Sequence, residues 1–132
     1  MKEITKQMID YYKINDLGYD FMGYSLQKND IYTYHHMIVP ARFGGQITFD
    51  NGAILCGKSS HPYLHTIESV DYDMFWYITE RMEQMNLDGR LDINELRKIH
   101  RVLETFEREN YGKTTRKGKV LIKDIYLRRT KL

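Results

Sequence analysis

Residues 30–62 confine the folds open to this chain more than any other stretch. "DIYTYHHMIVP" (30–40) is rich in β-branched and aromatic residues and closes on Pro40, which removes a ladder donor. "RFGGQ" (42–46) is a glycine turn, and "ITFDNGAILCG" (47–57) reads as a returning strand with its own Asp-Asn-Gly bend. Pro62 then suits the first turn of a helix, where its missing N–H costs nothing. The expectation is an antiparallel strand pair running into a helix, within an α+β fold.

The flanking segments predict mostly helix. Residues 2–14 place Ile4, Met8, Tyr11, Tyr12 and Ile14 at helical spacing, and Gly18 pivots a turn. "FMGYSLQ" (21–27) reads as a further β-type run. Downstream, a helix is predicted over Asp73–Gln84, broken by "NLDGR", and another over Ile93–Asn110 with Ile93, Leu96, Ile99, Leu103 and Phe106 on one stripe. A short strand or helix is expected around Val120–Tyr126. At 132 residues and 42% hydrophobic content, one domain with a modest core is expected over 1–132. Its core spans about 19–70, its helical region about 71–111 and its basic tail 112–132.

No stretch approaches the roughly 18 apolar residues of a membrane span, and the start lacks a signal peptide's apolar core. Cys56 is the single cysteine, so no internal disulfide forms and a reducing cytoplasm is the expected location. Charge is uneven. Residues 113–132 carry eight Lys/Arg and one acid, a net +7, leaving twelve basic and seventeen acidic residues elsewhere, a net −5. Such asymmetry suits a polyanionic partner, and equally a solvated terminus.

Four of the five histidines fall between His35 and His65. His61 and His65, four residues apart on a helix, project from one face and can share an ion. On a strand, neighbours point to opposite sides, so His35 and His36 divide labour: one faces a metal, the other substrate or water. Histidine titrates near neutrality, which suits a general base.

This segment resembles the HNH (ββα-metal) endonuclease family, including the colicin-type nuclease domains. The resemblance rests on "HH-I-VP", the "GG" turn, "DNGAILC" and "HPYLH", about a quarter of the chain. It implies a β-hairpin plus helix core, with an N-terminal helix and additional C-terminal helices around it. It implies His35, His61 and His65 as ligands of one divalent metal ion, and His36 as the general base. Asn51 would hold the loop and orient His36 within the catalytic pair. Two departures stand out: the Asn51–His61 interval is one residue longer than in the colicin-type pattern, and the CxxC zinc braces of many such domains are missing, with Ser59 where a cysteine would follow Cys56. Three imidazoles favour zinc or nickel over magnesium, though manganese and magnesium also belong among the candidates.

The implied activity is phosphodiester hydrolysis of nucleic acid, DNA before RNA. Arg42 and Lys58 flank the proposed site, and Arg116, Lys117, Lys119, Arg128 and Arg129 in the tail would hold phosphates without reading base sequence. The chain also resembles small HNH proteins of Gram-positive bacteria and their phages and mobile elements, and a symmetric homodimer would suit double-strand cleavage. The competing reading is a non-catalytic protein on the same scaffold, sequestering a nucleotide or signalling molecule or binding a protein partner in defence or counter-defence.

Other signals are expected to be structural. "QMNLDGRLDINE" imitates a calcium loop, but Gln84 occupies the first ligand position and Asp92 suits a helix N-cap. His100 beside an apolar stripe and Cys56 in an apolar run are expected in or at the edge of the core. Tyr72, Phe75, Trp76 and Tyr77 are expected to serve the core and an interface before any base stacking.

Overall fold

The computed structural model describes residues 2–132 and has an α+β architecture. Two strands, β1 (Tyr32–His36) and β2 (Gly52–Cys56), pair antiparallel with Tyr32 opposite Cys56 and His36 opposite Gly52. Five helices surround them: α1 (Glu3–Tyr11), α2 (Ile14–Leu17), α3 (Ser60–Val70), α4 (Tyr72–Asp88) and α5 (Ile93–Asn110). Strand β2 is buried along its whole length, with α1, α3 and α4 packed against it. One cluster of buried hydrophobics runs from Met8 on α1 to Tyr126 near the C-terminus. No helix among the described residues is long and apolar enough to cross a membrane.

The strand pair lies within the expected runs but is shorter: β1 stops at His36, four residues before Pro40, and a 3-10 turn over Phe49–Asn51 delays β2 to Gly52. Pro62 is the third residue of α3, inside the first turn, as its missing N–H favours. Helix α5 spans Ile93–Asn110 with Leu96, Ile99, Leu103 and Phe106 buried, although Ile93 stays exposed. Helix α4 begins one residue before the expected span and runs four beyond it. Asp71 caps its N-terminus by accepting from Met74 N at 3.0 Å, and Gly89 ends it in the left-handed conformation. The imitation calcium loop is a helix joint. Asp92 Oδ1 accepts from Asn94 N and Glu95 N, while Glu95 turns to Arg81 and Lys98.

Two expectations fail locally. The helix over residues 2–14 is broken at Lys13, which adopts a left-handed backbone (φ 56°) between α1 and α2. More consequentially, residues 21–27 are no strand. They wind around Asp20, whose Oδ1 accepts from Met22 N (2.8 Å) and Tyr24 N (3.0 Å). The apolar side chains that suggested a strand (Phe21, Met22, Tyr24) are buried all the same, on a turn where Gly23 takes φ 79°. A side chain's local hydrogen bonds outcompete ladder formation here.

Asp20 also reaches across the fold. Its Oδ2 accepts from Cys56 N at 2.9 Å and from the Ser60 hydroxyl, and Ser60 Oγ in turn accepts from Cys56 N at 3.0 Å. The fully buried carboxylate thus joins the 20–24 turn, the end of β2 and the start of α3. Burial pushes its pKa up, and the hydrogen bonds from Ser60, Tyr24, Cys56 and Met22 act in the opposite direction.

The last segment is part of the core. Ile122 and Tyr126 are buried, Tyr126 stacks on Tyr63 of α3 at 4.6 Å, and the Tyr24 hydroxyl donates to Tyr126 O. A 3-10 turn over Asp124–Leu127 and a bridge between Thr114 and Val120 take the place of the strand or helix expected there.

Replacing Asp20 by Ala strands several buried donors at once. With roughly 1–3 kcal/mol lost per unsatisfied buried group, Asp20→Ala is expected to lower unfolding stability by about 3 kcal/mol or more. Denaturant titration followed by circular dichroism checks this, and wild-type stability in the variant would refute the assignment.

Candidate metal centre

Strand alternation sets the first element of the site. Tyr32, Tyr34 and His36 occupy one face of β1, and Thr33 and His35 the other. The Thr33/His35 face meets α3, which presents His61 and His65 one helical turn apart. Ring centroids of His35 and His61 are 5.1 Å apart, of His35 and His65 5.3 Å, and of His61 and His65 5.1 Å. One ring nitrogen from each lies within 4.8 Å of the other two, so the three could hold a metal ion between them.

The hydrogen bonds around the rings fit that use. Thr33 Oγ1 spends its single proton on Leu55 O (3.0 Å), so its contact with His61 Nδ1 (2.7 Å) must run from the imidazole N–H to the hydroxyl. This leaves His61 Nε2 with a bare lone pair. His65 Nδ1 donates to the Glu68 carboxylate Oε1 at 3.1 Å, so Nε2 is the nitrogen that remains for another partner. His35 Nε2 is buried with no hydrogen-bond partner among the described residues, an arrangement that buried polar atoms rarely tolerate unless something else occupies them. Burial, followed by the neighbouring imidazoles, lowers the pKa of His35 to about 3 and of His61 to about 4. Both are neutral at pH 7, the form that ligates.

His36 stands outside this trio but lines the same cavity of about 570 Å³. Its half-buried ring meets Tyr34 edge-on, with centroids 4.9 Å apart, and forms no hydrogen bond among the described residues. Tyr34 is a site residue that motif reading missed. Its ring covers Gly52 so closely that a Cβ there would lie 2.1 Å from it, and its hydroxyl donates to Thr48 O (2.7 Å) and accepts from Thr48 N (3.0 Å). The available signal was the i, i+2 spacing of Tyr34 and His36 opposite a glycine.

Asn51 organises the loop without touching His36. Its Oδ1 accepts from Ile38 N and Val39 N, and its Nδ2 donates to Val39 O and Gln46 O, all between 2.8 and 3.1 Å. Its backbone carbonyl accepts from Met37 N at 2.8 Å, one residue past His36. Asn51 is therefore a positioning residue, and the direct orientation expected of it passes through the backbone.

The expected phosphate-binding cations separate. Arg42 lines the cavity, its guanidinium 4.9 Å over the Phe43 ring. Lys58 is exposed in the turn between β2 and α3 and is not among the cavity-lining residues. Arg116, Lys117, Lys119 and Arg128 are exposed. Arg129 departs from the expectation. Only 12% exposed, it donates to Glu107 Oε2 at 2.8 Å, the same oxygen that accepts from Tyr63, so it braces the tail against α5 and α3. His100 donates from Nε2 to Met22 O (2.8 Å), and burial raises the Cys56 thiol pKa well above the ordinary range. Neither belongs to the site.

Compared with protein-family models, with curated proteins and with solved structures, the chain matches none at a significant level.

Two outcomes follow from this geometry. Thr33→Val removes the acceptor that sets the His61 tautomer and is expected to weaken metal affinity by about 10–100-fold in a competition titration, with Thr33→Ser restoring it. In metal-free protein, His35 and His61 bind protons more readily once unfolded. Their contribution to stability is complete above pH ~6.5 and is lost as pH falls towards 4 and 3. The midpoint of urea unfolding should fall across that window, and less steeply in a His35→Asn/His61→Asn variant.

Proposed function

We propose that this chain is a metal-dependent HNH-type endonuclease that hydrolyses phosphodiester bonds, with DNA as its substrate, and that β1, β2 and α3 form a ββα-metal core. One observation carries the reading: three imidazoles each offer a ring nitrogen within 4.8 Å of the other two, close enough that they could hold a metal ion, while the adjacent His36 lines the same cavity from outside the trio. A nuclease needs this separation, because a ligand cannot also serve as a base.

His35, His61 and His65 would hold one divalent cation. Bound there, it would supply Lewis-acid stabilisation of the charge that develops on the phosphate and the departing oxygen. The chain's own residues do the rest. His36 accepts a proton from the attacking water, whose oxygen forms the new bond to phosphorus as the P–O bond to the leaving alcohol breaks. Tyr34 limits the swing of the His36 ring, and Asn51 keeps the 37–46 loop closed behind it. Arg42 at the cavity wall, with exposed tail cations, supplies sequence-independent affinity for the phosphate backbone. Imidazole ligands favour zinc or nickel in binding, with manganese and magnesium also candidates for turnover. A symmetric dimer would allow one-metal sites to cut both strands.

A second reading, nucleotide binding without cleavage, is favoured by the half-open cavity with aromatic residues on its wall. Incubation of supercoiled plasmid with each metal separates the two. Nicking that needs metal, stops with chelator and falls at least 100-fold in His36→Ala is the expected result. Intact plasmid in every metal, together with calorimetric binding of a nucleotide, would overturn the nuclease reading.

A further inference from the structure

The cavity that holds the histidines has a second wall, which hydrolysis does not use. Tyr72, Phe75 and Trp76, from the first turns of α4, line it on one side, and Phe43, from a 3-10 turn over Ala41–Phe43, lines it with Arg42. A core role explains only part of this set. Phe75 is buried, but Tyr72 is 58% exposed and Phe43 is 70% exposed. Tyr72 lies nearly parallel to Phe75 (6.0 Å, 22°) and edge-on to Trp76 (6.1 Å, 85°). Neither neighbour covers the Tyr72 ring closely at these separations, and more than half of the residue stays exposed beside the cavity. The Phe43 ring carries the Arg42 guanidinium 4.9 Å from its centroid.

We infer that this aromatic wall stacks an unpaired base whose phosphodiester lies at the histidines, so that the site takes a single strand in preference to a duplex. The inference rests on the proposed phosphodiester chemistry of the same site and names its substrate class. An open aromatic face beside a phosphate-handling centre serves a nucleotide whose own face is free. In a duplex both faces of each base are covered by its neighbours, and such a wall gains nothing from it. The cation matches the polyanion, since Arg42 contributes positive charge beside the ring. The cavity, at about 570 Å³, falls in the ~300–1,000 Å³ range of sites that enclose a small ligand, and a base with its sugar and phosphate is of that class. The two aromatic groups belong to separate elements, the start of α4 and the 41–43 turn, and come to line one cavity only in the folded chain. That contrasts with Tyr63, Phe106 and Tyr126, whose rings are fully or nearly fully buried.

The test measures binding by fluorescence anisotropy at one salt concentration, using the His36→Ala protein with zinc to prevent cleavage. Four probes are compared: a single-stranded DNA oligonucleotide, the RNA of the same sequence, the DNA duplex and an abasic single strand. Tighter binding of the base-bearing single strands than of the duplex and the abasic strand, by about tenfold or more, is expected. The DNA and RNA arms show which sugar is preferred. Tyr72→Ala and Phe43→Ala, both at exposed positions and checked for unchanged melting temperature, should each reduce single-strand affinity several-fold and leave duplex affinity unchanged. Tyr72→Phe keeps the ring and should restore binding. Equal or tighter duplex binding, or Tyr72→Ala without effect on the single strand, overturns the inference. The hydrolase reading is judged separately, by metal-dependent cleavage of both supercoiled plasmid and the same single-stranded oligonucleotide by the wild-type chain. Nicking together with duplex preference sinks the stacking proposal alone, and base-dependent single-strand binding without cleavage in any metal sinks the hydrolase reading alone.

Discussion

The Asp20 carboxylate holds the centre of this structure together. It lies beyond the reach of solvent and gathers donors from Met22, Tyr24, Cys56 and Ser60, groups that belong to a turn, the end of a strand and the start of a helix. An ionisable group is costly to bury, and the cost is offset only when its oxygens are fully engaged. The reward is geometric. The junction between β2 and α3 sets how the helix leaves the sheet, and the direction of the helix sets where His61 and His65 meet His35. The distance between strand and helix imidazoles therefore depends on a carboxylate that touches none of them.

Around that junction, short-range stereochemistry distributes the chemical groups. The pleat of β1 sends His35 towards α3 and His36 to the opposite face, where Tyr34 lies against it. Thr33, on the His35 side, relays Leu55 O to His61 Nδ1 and so presents a particular imidazole nitrogen to the interior. Asn51 winds the intervening loop about its own amide. The turn after β2 is pinned from both sides, which fixes His61 and His65 relative to His35: Cys56 N to Asp20, and Lys58 N to Asp30 Oδ1 at 3.0 Å. Ordinary packing braces the rest of the region. Asn86 of α4 donates to Phe49 O and Gly52 O, and Tyr126 stacks on Tyr63.

The C-terminal segment shows how charge pattern and packing divide one stretch of chain. Its residues look uniformly like a cationic appendage, yet Ile122 and Tyr126 enter the core and Arg129 is spent on Glu107. Arg116, Lys117, Lys119 and Arg128 stay in solvent. Net charge reports the first set and the second alike, because it carries no information about which cations have found an internal partner.

What the sequence by itself determined was local. The pairing of His61 with His65, the opposition of His35 to His36, the helix starts at Asp92 and Pro62 and the span of α5 all follow from the periods of helix and strand and from capping chemistry, which depend on near neighbours. Only the tertiary structure decided the rest. Asp20 had no nearby motif to mark it, since its partners Cys56 and Ser60 lie far along the chain. The "FMGYSLQ" run satisfied a strand's composition while two of its backbone N–H groups, those of Met22 and Tyr24, went to that carboxylate. Thr33, Tyr34, Glu68 and the aromatic wall acquired their positions beside the histidines through packing of separate elements. The physical reason is the same in each case: a dihedral preference is set by adjacent residues, whereas a partner for a buried donor, acceptor or ring is chosen by whatever the folded chain brings within reach.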